Sequence, residues 1–321
     1  MITKAARPVY LSIVCLSIIL FASSHLCLGQ APARSGKDPR PVQVAMKNIM
    51  YHFTDQMAAH IFHLQGQLLP ASPGSMIVFD DKNSFVLELA SAEIAISCNS
   101  LARILNENVF SAADAPIKGI SIETKNNQLV IKGKLHQKGD VPFETTGTLS
   151  VEGDGRIRLH TEHLKAAHVP VKGLLDLLGL NISQMIDTKK VVGVSADKDD
   201  LILNPEQILP PPRIKGKVTA VRVQGNDIVQ VFGKPQGAGF ADKQIGNYMA
   251  YHEGALRFGK LTMNDADLML LDMNPRDPFE FYLDHYKEQL VVGYTKITPE
   301  FGLRVYVPDW RPRRVAARQG K

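Results

Sequence analysis

The sequence predicts an α+β protein that is mainly β: a strongly twisted antiparallel meander sheet with one or two packed helices and a C-terminal β extension. Four consecutive segments between Ile120 and His163 alternate apolar and polar residues with period two. The turn formers "KNN", "QKGD" and "GDG" join them at hairpin spacing. Two short segments with helical spacing, around Leu101 and Leu174, flank the four.

Residues 1–29 read as a signal peptide. Lys4 and Arg7 form a basic start, and Leu11–Ala22 is an apolar core too short to span a bilayer comfortably. Export of the mature chain to the periplasm or outside follows, with membrane anchoring if the segment is retained. Residues 30–41 are a polar linker. In 42–69, the spacing of Met46, Ile49, Met50, Phe53, Met57, Ile61, Leu64 and Leu68 fits a helix, whereas "NIMYHF" and "HIFHLQGQL" fit two strands. Both remain open. "SMIVFD" and "SFVLELA" predict a hairpin around "DDKN". "SCNSLARILNENVFS" predicts a helix capped by Ser97 or Asn99, with Leu101, Ile104 and Leu105 on one face.

In the meander, Leu129, Ile131, Leu135, Phe143, Leu149, Ile157 and Leu159 share one apolar face, opposed by a charged one. Gly133 and Gly147 fall on the apolar face, where they allow curvature or close approach. His160, His163 and His168 cluster in sequence. On a strand, however, His160 and His163 point to opposite faces, which removes a zinc grip. "PVKGLLDLLGL" predicts a short helix with Leu174, Leu175 and Leu178 on its apolar side. "VVGVSADKDDLILNPEQI" predicts two strands and a capped turn at Asn204–Pro205. "KVTAVRVQGNDIVQVFG" predicts a hairpin turning near Gly225–Asn226. Residues 42–232 thus form the twisted-sheet domain, 233–246 a glycine-rich connector, 247–310 a C-terminal β region and 311–321 a basic tail. The C-terminal region is either a sheet extension or a small β domain of its own.

The formal charge of +5 comes from the ends: the first ten residues carry +2 and the tail +5, leaving a body of net −2. That balance argues against a nucleic-acid partner. Trp310 followed by Arg311, Arg313 and Arg314 suits contact with an anionic membrane surface. Beyond the leader, Cys98 is the lone thiol. No nucleophile elbow, zinc helix or CxxC pair is present, so no catalytic residue, metal ligand or cofactor is assigned. Asp265, Asp267, Asp272 and Asp277 read as turn formers flanking a strand. A hydrolase is the least favoured reading.

An apolar sheet face with an apolar helix beside it can enclose an apolar ligand without any polar motif. The order "SLARILNENVF", "IKGISIETKNNQLVIKGKL", "VPFETTGTLSVEGDGRIRL", "HVPVKGLLDLLG" and "DDLILNP" resembles the tubular lipid-binding (TULIP-like) superfamily, especially small exported bacterial phospholipid-binding members. The resemblance covers about residues 75–232 and lies in element order. It implies a lipid-binding or lipid-transfer role, with the seven meander residues and Leu174, Leu175 and Leu178 against the ligand. The alternative is a non-catalytic envelope structural or interaction module using the aromatics Phe279, Phe281, Tyr282, Tyr286 and Tyr294.

Overall fold

The structure is a computed structural model and describes residues 40–136, 140–166, 169–170, 191–234 and 246–312. The expected signal peptide, nearly all of the linker, the Leu174–Leu178 helix, most of the connector and the tail from Arg313 onward lie outside the described residues.

The chain begins with two long strands, β1 (Val42–Thr54) and β2 (Met57–Pro70), paired antiparallel. A two-residue piece, β3 (Ile77–Val78), precedes β4 (Phe85–Ser97), which runs back along β2. The helix α1 (Cys98–Ile104) starts where the Ser97 hydroxyl accepts from the Ser100 N–H, and a π turn over Leu105–Val109 ends it. The meander follows as β5 (Ile117–Lys125), β6 (Gln128–His136), β7 (Asp140–Val151) and β8 (Ile157–Ala166), with β9 (Val169–Pro170) beside β8. Next, β10 (Val194–Asp197) and β11 (Asp200–Leu203) form a hairpin, and α2 (Pro205–Ile208) is capped by the Asn204 side chain with Pro205 in its first turn. β12 (Arg213–Lys215) leads to the hairpin of β13 (Val218–Gln224) and β14 (Asp227–Gly233). The last segment holds β15 (Tyr248–His252), β16 (Leu256–Phe258), β17 (Leu261–Met263), β18 (Asp267–Asp272) and β19 (Phe279–Tyr282). α3 (Tyr286–Val291), β20 (Tyr294–Ile297) and β21 (Leu303–Val307) complete it.

The protein is therefore mainly β with few helices, as the sequence predicts. Among the described residues its strands form two large sheets and one small one. The larger has the order β13-β14-β4-β2-β1-β15-β18-β21-β20, with β12 beside β4 and β19 beside β1. The meander sheet has the order β10-β11-β8-β7-β6-β5. The segment 247–310 extends the larger sheet, because β15 pairs with β1 from Gln43↔His252 to Lys47↔Tyr248.

Two expectations need resolving. Residues 42–70 are strands, and the helical spacing has a local cause. Val42, Val44 and Met46 face the core, then Ile49 and Tyr51; on β2, Met57, Ala59 and Ile61 face it, then Leu64 and Leu68. Each strand changes parity once, at Asn48 and at Phe62, which lie opposite one another between the pairs Lys47↔His63 and Ile49↔Ile61. Asn48 adopts φ 53°, the left-handed region that Asn tolerates. There β1 exchanges its neighbour β15 for β19. The expected "DDKN" hairpin is not formed. β3 pairs in parallel with β16, in the small sheet β17-β16-β3. The Ser84 hydroxyl, which donates to the Val78 carbonyl and accepts from its N–H, takes the bonds a ladder would have used.

The glycines of the meander work by close approach. A Cβ on Gly147 would lie 2.3 Å from the His160 carbonyl oxygen, at the point where the β7–β8 register shifts. One on Gly133 would lie 2.9 Å from the Phe143 ring.

Candidate apolar ligand site

The side chains that α1, α2, the meander and β14 turn inward surround an apolar cavity of about 90 Å³. Leu129, Ile131, Leu135, Phe143, Leu149, Ile157 and Leu159, the seven meander residues predicted to line a ligand, all line it. Strand alternation puts them together. On β6, Leu129, Ile131 and Leu135 keep one parity; β7 and β8 supply the rest in register, with Leu149 opposite Leu159. Leu101, Leu105 and Phe110 close the cavity from α1 and the turn after it, and Ile208 and Leu209 from α2. The positions of Leu174, Leu175 and Leu178 lie outside the described residues.

A second apolar cavity of about 80 Å³ lies under the larger sheet, among Tyr51, Ile61, Leu64, Phe79, Phe85, Leu87 and Phe232. Ile96, Leu209 and Gln230 line both cavities and so stand between them. Along β14, Ile228 faces the first cavity, Gln230 both and Phe232 the second, as residues two apart on a strand must. Sequence reasoning missed the second cavity because its lining comes from strands far apart in the chain.

The site is electrically quiet. Burial, aided by Asp284 at Tyr51 and by Tyr51 at Tyr251, pushes both phenol pKa values well above the ordinary tyrosine value, so these second-cavity residues stay neutral. Three polar side chains line the first cavity: Thr145, Thr161 and Gln230. Thr161 donates to the Asp199 carbonyl, and Thr145 makes a long bond of 3.5 Å to the Thr146 carbonyl. Gln230 Oε1 differs. Gln230 is 7% exposed, and this oxygen is buried without a hydrogen-bond partner among the described residues. An unmet buried acceptor costs about 1–3 kcal/mol.

Other groups with chemical potential have structural partners. His52 pairs with Glu280 at 2.5 Å and stacks on Tyr282. His160 contacts Asp200, which also pairs with Arg158. Of the four turn aspartates, Asp265 pairs with Arg40, Asp267 with Arg304, and Asp272 accepts from Asn247; Asp277 Oδ1 accepts from Asn274. Among the described residues no three His, Cys, Asp or Glu side chains are grouped to hold a metal ion. Cys98 is fully buried, and burial raises its thiol pKa, so it packs as an apolar group. Trp310 packs edge-on against Tyr282, centroids 5.5 Å apart, while Arg311 is exposed. Arg313 and Arg314 lie outside the described residues. Phe279, Phe281, Tyr282 and Tyr286 are buried and thus unavailable to a partner; Tyr294 is exposed and stacks on Tyr306.

No protein-family model, curated protein or solved structure matches this chain.

Proposed function

We propose that this is an exported lipid-binding or lipid-transfer protein that holds a single apolar chain against the meander sheet. The observation that carries the reading is the convergence of all seven meander residues on one apolar cavity, with a second cavity across Ile96, Leu209 and Gln230. A water's share of liquid volume is about 30 Å³, so about 90 and 80 Å³ take about six water-sized groups together. A methylene is close to a water in size. The fit is therefore to one short chain, smaller than the whole phospholipid that the TULIP-like resemblance implies. Burying six methylenes contributes about 5 kcal/mol before the costs of association.

Export rests on the leader at Leu11–Ala22, and contact with anionic membrane on Trp310, Arg311, Arg313 and Arg314. Removal of the tail after Trp310 keeps the contact with Tyr282 and should weaken sedimentation with anionic liposomes, most at low salt. The deciding experiment titrates delipidated protein with straight-chain alcohols of increasing length and follows thermal unfolding. Stabilisation should rise to a chain of about six carbons and then fall. The absence of both stabilisation and a length optimum would overturn the reading. Organic extraction and mass spectrometry of the protein as purified would identify the natural ligand.

A further inference from the structure

The natural ligand of an all-apolar cavity needs no polar group, yet the partition between the two cavities contains one. Gln230 stands on the inner face of β14, opposite Ile94 of β4 and Val221 of β13. Its backbone is held by a central strand, since β14 is paired on both sides. Its neighbours of the same parity, Ile228 and Phe232, are 3% and 2% exposed. Gln230 Oε1 is buried and receives no hydrogen bond among the described residues. Apart from Thr145 and Thr161 the described side chains lining the two cavities with it are almost all apolar, so a donor carried by a ligand in the cavities would meet this oxygen.

We propose that Gln230 is the polar anchor of the ligand site: its carboxamide oxygen accepts a hydrogen bond from a hydroxyl or amide N–H carried part-way along an otherwise apolar chain, whose two arms fill the cavities on either side. This rests on the apolar-ligand reading above and deepens it to a ligand class, the short chain with an internal donor, such as a secondary alcohol with arms of about two or three carbons. The position of the donor follows from geometry. Gln230 lines both cavities, which are of nearly equal volume, so the donor divides the chain into arms of similar length. A chain with a donor only at its end would have to leave one cavity empty to reach Gln230.

The probes are diethylcarbinol, which carries a central hydroxyl, diethyl ketone, which has the same skeleton but can only accept, and pentane. All three match the size the cavities admit, about six groups. Binding to the full chain is measured by calorimetric titration for the first two, and by thermal shift in saturated solution in sealed cells for pentane. The carbinol should bind about tenfold more tightly than the ketone, the equivalent of about 1.4 kcal/mol for one hydrogen bond. Gln230→Leu should abolish that preference, leaving the carbinol and the ketone with equal affinities. Gln230→Met, which is close in length and flexible, serves the same purpose if the leucine variant does not fold. A response to pentane with no carbinol preference in the wild type, or with a preference that survives both substitutions, overturns the anchor and leaves the apolar-ligand reading standing. No response to any of the three probes overturns both.

Discussion

Leu129 is the residue whose truncation most directly tests the packing around the first cavity. It lies on β6 opposite Thr124 of β5 and Gly147 of β7, is 2% exposed, and lines the cavity. Leu129→Ala removes three carbons from a buried position. Loss of transfer free energy at about 0.8 kcal/mol per carbon gives about 2.4 kcal/mol. The new space, about 80 Å³ before relaxation, adds up to about 2 kcal/mol at about 24 cal/mol per Å³. With partial collapse the expected cost is about 3.5 kcal/mol, read as a fall in the urea midpoint of delipidated protein at unchanged m-value. The same change enlarges the cavity by about three methylenes, so the best straight-chain alcohol should lengthen by about that much. At about a hundred times its Kd, that ligand should restore about 2.7 kcal/mol. A loss below about 1 kcal/mol would mean that Leu129 is not packed as described. An unchanged length optimum would mean that its space is not the ligand's.

Gly147→Ala places a Cβ 2.3 Å from a backbone carbonyl that cannot rotate away, and should cost about 1–3 kcal/mol by urea unfolding; a neutral effect would refute the close approach. Asn48→Ala leaves φ 53° to a residue that disfavours it and removes the bonds to His60 (2.8 Å) and Asn247 (2.9 Å); about 2–3 kcal/mol should be lost, and Asn48→Gly should recover the backbone part alone. His60, whose Nε2–H donates to Asn48, has its pKa lowered by burial against the opposing pull of Asp227 and Glu280. The unfolded chain therefore binds the proton first, and the stability this neutral histidine contributes is full above about pH 6.5 and is lost as the pH falls from there through the folded pKa. Urea midpoints of the wild type should fall more steeply than those of His60→Gln over that window, and parallel curves would exclude the effect.

The meander was legible in the sequence because one face of it meets water. Its outward residues, such as Lys132 and Glu144, are charged, and a period of two then shows which residues turn inward. The same alternation assembled the seven cavity residues, since on β6 to β8 inward parity and cavity lining coincide. β1 and β2 were harder to read, for a definite reason. Their parity shifts at Asn48 and Phe62 put a gap of three between core residues, Met46 to Ile49 and Ile61 to Leu64, and a gap of three is also the helix signature. Only the partner strand settles such a case, and a partner is a tertiary fact. β3 shows the same limit from the other side, because its partner β16 lies almost 180 residues away in the chain.

Gln230 was hidden by its surroundings. In "DIVQVFG" both faces are apolar: Ile228 and Phe232 on one, Val229 and Val231 on the other. A strand buried on both faces has no wet side from which to judge that a polar residue is out of place. Its position acquires meaning once β14 is seen between β4 and β13, with one cavity at Ile228 and another at Phe232. An isolated glutamine on a two-sided apolar strand weakens the fold wherever its amide goes unmet. For stability alone, a leucine would serve better at this position. That sets the directions to be expected: Gln230→Leu should raise the urea midpoint of the delipidated protein, and lower its affinity for a chain that carries an internal donor. A lower urea midpoint would show that the glutamine contributes to the fold, and an unchanged affinity that it does not contribute to the ligand.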